Sequence, residues 1–249
     1  MLFFDDQRNC VLVSSLNHFM TNGVVKVMPP KKVSAPWGFG CGPNGEVNHL
    51  PAQTSFMYLM VFGQGIHATF KRWGDLLRQY YGVSPKDRYL DVMTSSLGYF
   101  TDNGAYYYYN PLPKKKYDQT LLAVKAKADE LRIPYRYYHL DSWWYRKSVQ
   151  QWNRKLLGNL GRILGGGLYG GTIRWEPDPE ALDMPLVELS AQLGTPFSAH
   201  NRWYAVDSPY TQEFHFVQEG GRSMPDDPKF WQHIMKYCQE NRITVYEQD

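Results

Sequence analysis

The stretch Met93-Thr-Ser-Ser-Leu-Gly-Tyr-Phe-Thr-Asp-Asn-Gly-Ala-Tyr-Tyr-Tyr-Tyr-Asn110 guides the interpretation of the whole chain. Its first part, Thr94 to Phe100, is small and apolar and predicts a strand. The strand ends at Thr101-Asp102-Asn103-Gly104, because Asn and Gly tolerate the backbone angles of a turn, and four tyrosines follow. A carboxylate, an amide and aromatic rings at the end of a buried strand are typical of the rim of a carbohydrate pocket. A plain hairpin turn explains the same residues, and this stretch alone does not separate the two interpretations.

An alternation of strands and helices continues downstream of this stretch. We predict strands at 94–100, 134–140, 196–200 and 243–246, and helices at 118–131, at 185–193 and from residue 228 onwards. This order predicts right-handed parallel βαβ units and an α/β fold. An open doubly wound sheet would show the same alternation, but no nucleotide-binding glycine fingerprint follows the first strand. We therefore favour a (β/α)8 barrel.

Polar and aromatic side chains follow each of these four strands. In a (β/α)8 barrel the functional groups lie where the strands end, on the C-terminal face. We therefore expect these side chains to share one site. The strand ends are Asp102-Asn103, Asp141-Ser142-Trp143-Trp144, His200-Asn201-Arg202-Trp203 and Glu247-Gln248-Asp249.

The chain ahead of residue 91 has a different pattern. Residues 1 to about 62 carry short apolar runs and predict β-structure, and Gly40, Gly42 and Gly45 predict closely spaced turns. From His67 to Tyr81 the apolar period is helical, and we expect this helix to join the two parts of the chain. Further along, the glycine-rich passage 158–171 lacks the Gly-Lys-Ser/Thr ending of a phosphate loop, so we expect a flexible surface excursion there.

Composition narrows the classes of function. Aromatic residues make up 16% of the chain, which favours a binding cleft, although a β-rich core accounts for most of them. The net charge is only +3 and Lys114-Lys115-Lys116 is the one basic run, so we expect no nucleic acid partner. Cys10, Cys41 and Cys238 lack metal-ligand spacing, so we expect no metal or cofactor, although one disulfide is compatible with them. The sequence shows no apolar run of membrane-spanning length and no signal peptide. We therefore expect no membrane association, and an intracellular protein if Met1 is the natural N-terminus.

Three of the strand ends resemble motifs of a known group of enzymes. Leu97-Gly98-Tyr99-Phe100-Thr101-Asp102-Asn103 is similar to the first-strand Gly-Tyr/Trp-Cys-Thr-Trp-Asp/Asn motif of the retaining glycoside hydrolase clan of α-galactosidases, α-glucosidases and raffinose synthases. Leu140-Asp141-Ser142-Trp143-Trp144 resembles its second-strand Ile-Asp-Asp-Gly-Trp, and Val245-Tyr246-Glu247-Gln248-Asp249 falls where its fourth-strand Lys-x-Asp lies. The resemblance implies a β-sandwich-like region at 1–62, a joining helix and linker at 63–90, and strands 1–4 of a (β/α)8 barrel at 91–249.

This chain departs from the clan's pattern at three points. Ser142 replaces the second aspartate of the Asp-Asp pair, and Glu247 replaces the lysine that precedes the nucleophile, which reverses a charge. The clan's general acid/base lies on the sixth strand, whereas this sequence reaches the fourth. We therefore expect a fragment of a longer protein, with sugar affinity and little or no hydrolytic turnover of its own.

The resemblance also implies a role for each residue at a strand end. Asp249 would be the nucleophile of a retaining mechanism, which needs a second carboxyl group about 5–5.5 Å away. The other residues would bind the α-linked carbohydrate, by hydrogen bonds to its hydroxyl groups or by stacking on its rings. They are Asp102, Asn103, Asp141, His200 and Arg202 for hydrogen bonds, and Trp143, Trp144 and Trp203 for stacking.

Simpler interpretations of several of these residues remain open. Asp102 is also compatible with a turn, His200 with a buried histidine, and Trp143 with the barrel core. Arg202 could pair with Asp207 or Glu213. For the whole chain, a non-catalytic carbohydrate-binding or pseudoenzyme module and a purely structural fragment are the alternatives to an enzyme. The sequence does not indicate which sugar or linkage is bound, or the oligomeric state.

Overall fold

The computed structural model of the chain describes residues 1–27, 38–45, 47–148 and 170–249. Contacts between residues divide the chain into two compact units, Met1–Arg88 and Tyr89–Asp249. The three-part division into a sandwich, a joining segment and a barrel stays a prediction.

Two antiparallel sheets and one long helix form the first unit. Strands β1 (Leu2–Phe4), β2 (Asn9–Ser15) and β5 (Tyr58–Gln64) pair in the order β1-β2-β5, and β3 (Asn22–Val27) pairs with β4 (Gly38–Pro43). The predicted helix is present as α1 (Ile66–Tyr81). It lies against the first sheet, where the Trp73 indole donates a hydrogen bond to the Ser14 hydroxyl at 2.8 Å.

The predicted turns at Gly40 and Gly42 are wrong. Both glycines lie within β4, where Gly40 pairs with Val25 and Gly42 with Gly23. Strand pairing brings together residues that are far apart in the sequence, so local glycine spacing does not reveal it. Gly45 does lie in a turn.

A four-stranded parallel sheet is the centre of the second unit. Its strands are β6 (Leu97–Tyr99), β7 (Tyr135–Leu140), β10 (Phe197–Asn201) and β14 (Ile243–Gln248), in the order β14-β10-β7-β6. All three neighbouring pairs are parallel, which confirms the predicted parallel strands. The connecting helices are α3 (Tyr117–Glu130), α4 (Leu186–Leu193) and α6 (Pro228–Glu240), with short helices at Asp87–Tyr89 (3-10), α2 (Val92–Ser95) and α5 (Tyr210–Glu213).

The first of these strands is shorter than predicted. Val92–Ser95 forms a helical turn, because the Asp91 side chain accepts a hydrogen bond from the Met93 backbone at 2.7 Å. The Ser95 hydroxyl donates back to the Asp91 carbonyl at 2.7 Å. These local hydrogen bonds compete with strand pairing, so only Leu97–Tyr99 joins the sheet.

A second, five-stranded sheet was not predicted. Its order is β12-β13-β11-β9-β8, formed by β8 (Tyr145–Lys147), β9 (Thr172–Pro177), β11 (Tyr204–Ala205), β12 (Phe216–Glu219) and β13 (Arg222–Pro225). These strands are two to six residues long, too short for a clear period. Most of the glycine-rich passage 158–171 lies outside the described residues; its end at Gly171 leads into β9.

The two faces of the parallel sheet differ in chemistry. Tyr138, Leu140, Phe197, Ala199 and Ile243 are buried and belong to one apolar cluster with residues of α3, α4 and α6. Alternate residues of a strand point to opposite faces, so the residues between them form the other face, which we call the polar face. In β14 the pairing with β10 shifts by one residue after Ile243, and this shift brings Glu247 level with His200. The polar face carries His139 and Asp141, Ser198 and His200, and Glu247 and Asp249.

No helix among the described residues is long and apolar enough to cross a membrane.

Gly171 offers a test of how the second sheet is packed. A β-carbon on Gly171 would lie 2.6 Å from the Ala205 backbone nitrogen, closer than real contacts allow. We expect Gly171→Ala to lower the free energy of unfolding by about 1–3 kcal/mol, because backbone atoms must move apart. Urea denaturation measures this change. Gly42→Ala is the matched control, since nothing lies within 4 Å of the added methyl group. Equal effects of the two substitutions would contradict the packing described.

Candidate functional site

Asp141 is the most buried carboxyl group at the ends of the parallel strands. It is 2% exposed, and the Ser142 hydroxyl donates a hydrogen bond to it at 2.8 Å. Burial raises the pKa of Asp141 to about 6, the nearby charge of Asp102 adds to the rise, and hydrogen bonds from Ser142 oppose it. A carboxyl group with this pKa is present in both protonation states near neutral pH.

A chain of hydrogen bonds leads from Asp141 to the surface. The hydroxyl groups of Ser142 and Tyr109 lie 2.7 Å apart, and Lys147 donates to the Tyr109 hydroxyl. Because Ser142 donates to Asp141, the Tyr109 hydroxyl is the donor to Ser142. Ser142 therefore orients Asp141 through a neutral hydrogen bond.

Glu247 contacts a histidine that sequence reasoning missed. Nε2 of His139 lies 2.5 Å from a Glu247 carboxylate oxygen, across the β10 strand that separates β7 from β14. The Phe100 ring stacks on His139 with centroids 4.3 Å apart and leaves the imidazole fully buried. Nδ1 of His139 is buried without a hydrogen-bond partner in the described part of the chain. The sequence did carry a signal for His139. It stands two residues before Asp141, on the other side of the apolar Leu140, and a strand places residues with this spacing on the same face.

His200 and Asp249 form a second imidazole–carboxylate pair. Nε2 of His200 lies 3.4 Å from an Asp249 carboxylate oxygen, and Nδ1 lies 3.0 Å from the Tyr145 hydroxyl. Burial lowers the pKa of His200, while Asp249 and Glu247 oppose that shift. His200 is thus neutral near pH 7, and donation by Tyr145 to Nδ1 leaves the proton on Nε2, facing Asp249. The Asp249 carboxylate itself remains 66% exposed.

The two tryptophans after β7 are packed differently from the prediction. Trp144 is fully buried, and its indole donates to the His200 carbonyl at 3.0 Å, as the Trp175 indole does at 2.9 Å. Trp144 therefore presents no face to a substrate in this structure, and its predicted stacking role is wrong here. Trp143 stacks on Tyr117 at 3.7 Å and is 4% exposed, so it too contributes mainly to the core.

Thr101 holds the ends of β6 and β7 together. Its hydroxyl donates to the His139 carbonyl at 2.6 Å and accepts from the Trp143 indole at 3.1 Å. The Asp141 backbone N–H also points at this oxygen, at 3.4 Å. Thr101 is fully buried, and sequence reasoning treated it only as part of a turn.

Asp102 and Asn103 form a turn beside the strand-end site, and their role in binding carbohydrate stays a prediction. The Asp102 side chain accepts a hydrogen bond from the Asn103 backbone, and its carbonyl accepts from Ala105 at 2.8 Å, so it stabilises a turn. Its charge also raises the pKa of Asp141 and of Tyr108, which places it beside the strand-end site. Asn103 is exposed.

Arg202 and Trp203 lie next to each other at the end of β10. The Arg202 guanidinium carbon lies 3.9 Å from the centre of the Trp203 ring, and that of Arg222 lies 4.6 Å from it. Within the described residues Arg202 pairs with neither Asp207 nor Glu213, and Glu213 contacts Arg174 instead, at 3.8 Å. The alternative of a structural ion pair for Arg202 is therefore wrong for these residues.

The described residues hold no group of three or more His, Cys, Asp or Glu side chains placed to bind a metal ion. All three cysteines are free. The candidate site is a set of carboxyl and imidazole groups on the polar face, with Arg202 directly after β10.

Comparison of the sequence with models of known protein families gives no match, and comparison with curated proteins gives none. Among solved structures, the chain is similar to a xylosidase from Aspergillus niger, with a TM-score of 0.33 and 14% sequence identity. The alignment covers 61% of this chain and 20% of that chain. A likeness at this level establishes neither the fold nor an activity.

The raised pKa of Asp141 predicts a specific pH dependence of stability. The pKa in the folded state lies above its usual value of 3.8, so the protonated form favours folding. This contribution is fully present below about pH 4 and is lost as the pH rises through about 6. Between pH 4 and 7 we expect the wild type to lose about 2–3 kcal/mol more stability than Asp141→Asn.

Urea denaturation across this pH range measures the difference. Asp207→Asn is the control, since Asp207 is exposed and should follow the wild type. Carboxyl-carbon NMR provides a direct reading of the Asp141 midpoint, which Ser142→Ala should raise by removing a donor. Identical pH profiles for the wild type and Asp141→Asn would show that Asp141 is not buried as described.

Proposed function

We propose that this chain binds carbohydrate at the carboxyl ends of β6, β7, β10 and β14, and that the parallel sheet is the first half of a glycosidase-type (β/α)8 barrel. The strongest support is the composition of the polar face. The adjacent strands β7, β10 and β14 each contribute two polar side chains to it, and carboxyl groups stand at the ends of β7 and β14.

Strand order supports a barrel over an open doubly wound sheet. The four strands are adjacent in the order in which they occur along the chain, without the reversal that defines a switch point. The three connecting helices share one apolar cluster with one face of the sheet. In a (β/α)8 barrel the helices lie outside and the opposite face lines the interior, where sites form at the carboxyl ends of the strands.

The chemistry of the strand ends suits sugar hydroxyl groups. Carboxylates accept hydrogen bonds from hydroxyls, and those bonds are strengthened by the charge. Asp102 is the acceptor that we assign to this role, with Asn103 at the rim, whereas Asp141 is 2% exposed and does not reach a sugar in this structure. Asp249 is the nucleophile that we assign by resemblance to the clan. His200 positions it through the Nε2 proton, and the exposure of Asp249 leaves it accessible to a sugar.

A non-catalytic binding module is the second candidate. Retaining hydrolysis needs a general acid beside the nucleophile. The pKa of Asp141 would suit a general acid, but this carboxyl group is buried and accepts a hydrogen bond from Ser142. Glu247 is paired with His139. We therefore propose binding as the activity of this chain, and retaining α-glycoside hydrolysis as the reaction of the site when an acid/base is in reach.

Sugar binding is the first test of this proposal. We expect methyl α-glycosides of galactose, glucose or xylose to bind the chain, measured by isothermal titration calorimetry. Asp102→Asn and Asp249→Asn should each weaken binding about tenfold or more, because a hydrogen bond to a charged group is lost. Asp129→Asn is the matched control: Asp129 is exposed near the C-terminal end of α3, away from the carboxyl ends of the strands. Absence of binding to all three sugars, or equal losses in the control, would refute the proposal.

Hydrolysis is tested separately, with the same chain. We expect no turnover of methyl α-glycosides above background, because an unprotonated alkoxide is a poor leaving group and general acid catalysis contributes about 10²–10⁴-fold. Nitrophenyl α-glycosides, whose leaving group needs less protonation, serve as the more sensitive probe. Turnover that Asp249→Asn abolishes would show that an acid/base is present, and would favour the enzyme over the binding module.

A further inference from the structure

Two arginines flank one tryptophan ring at the edge of the candidate site. Arg202 follows β10 and Arg222 begins β13, and both guanidinium groups lie over Trp203. The Trp203 carbonyl accepts a hydrogen bond from the Thr172 backbone at 3.0 Å, which fixes the ring's backbone to β9. We call Arg202, Arg222 and Trp203 the arginine cluster. An aromatic ring holds a guanidinium plane in place and leaves its N–H groups free for a planar partner.

The arginine cluster has no counter-ion in the described part of the chain. Neither arginine side chain forms an ion pair or a hydrogen bond within the described residues, and Nε of Arg202 is buried without a partner. The nearby acids have other partners: Glu213 contacts Arg174, Glu247 contacts His139, and Asp249 contacts His200. The sequence of residues 149–169 contains three basic residues and no Asp or Glu, so it offers no carboxylate either. A buried donor without a partner costs free energy unless a ligand supplies an acceptor.

The arginine cluster is close to the strand-end site. The Arg202 charge lowers the pKa of His200, and it opposes the rise in the pKa of Tyr145 and of Tyr108. Tyr145 contacts His200, and His200 contacts Asp249. Arg202 therefore follows the strand that lies between β7 and β14, whose ends carry the carboxyl groups.

We propose that Arg202 binds an anionic group carried by the carbohydrate, a carboxylate or a phosphate, and that Arg222 strengthens the field around it. This inference rests on the proposed function and adds the class of the substrate. A guanidinium matches carboxylate and phosphate oxygens with two parallel hydrogen bonds, which a neutral hydroxyl group cannot accept in the same way. The carboxyl groups that follow β7 and β14 would repel such a group, so we expect it to lie against the guanidinium group.

The experiment compares neutral and anionic sugars on the full 249-residue chain by isothermal titration calorimetry. The neutral probes are methyl α-galactoside and methyl α-glucoside, the uronate probes are their galacturonate and glucuronate counterparts, and the phosphate probes are glucose 1-phosphate and glucose 6-phosphate. Inorganic phosphate is titrated alone as well. We expect one anionic class to bind at least about tenfold more tightly than its neutral counterpart, and this advantage to fall with added salt.

Substitutions identify the source of the preference. Arg202→Gln should abolish the preference for anionic sugars, Arg202→Lys should keep part of it, and Arg222→Gln should reduce it. Arg136→Gln, on the exposed side of β7, is the matched control and should keep the full preference. Circular dichroism checks that each variant is folded.

The outcomes separate this inference from the proposed function. Equal binding of neutral and anionic sugars would overturn the inference and leave the proposed function standing. An anionic preference that survives in Arg202→Gln would also overturn the inference. Binding of inorganic phosphate alone, with no sugar of any class bound, would overturn both, because the anion would then be recognised without carbohydrate.

Discussion

The difference between the two faces of the parallel sheet is the constraint on which the second unit depends. Tyr138, Leu140, Phe197 and Ala199 alternate with His139, Asp141, Ser198 and His200 along the two central strands. The first set is buried with the connecting helices, and burial of apolar side chains contributes about 1.5–3 kcal/mol each. A shift of one residue in the register would place imidazoles and carboxylates against the helices. The same pairing that forms the core therefore also forms the site.

Buried polar groups at the strand ends are stabilised by a small number of shared acceptors. The His200 carbonyl accepts hydrogen bonds from two tryptophan indoles, and the Thr101 hydroxyl joins β6, β7 and Trp143. Such groups are costly when left without partners, so these contacts fix the positions of the strand ends. These hydrogen bonds hold the strand ends that carry the carboxyl groups of the candidate site.

Each carboxyl group at the ends of β7 and β14 has a hydrogen-bonding partner. Each of Glu247 and Asp249 lies beside an imidazole, and Asp141 is held by a hydroxyl group that is itself connected to Tyr109 and Lys147. The carboxyl groups of the site thus differ in environment, from the buried Asp141 to the exposed Asp249. Environments of this kind separate pKa values and give chemically similar groups different roles. The arginines over Trp203 are the exception, since the described residues offer them no anion.

The sequence by itself determined the parallel strands, the helices between them and the residues that stand at the strand ends. Apolar period and capping residues are local properties, and they are visible at Leu140-Asp141 or Asp227-Pro228 without a structure. Only the tertiary structure decided that Trp144 is buried, that His139 meets Glu247, and that Gly40 belongs to a strand. It also decided the second sheet, whose strands pair across long stretches of chain. Burial and long-range pairing depend on which distant residues come together, and the local pattern of a sequence does not contain that information.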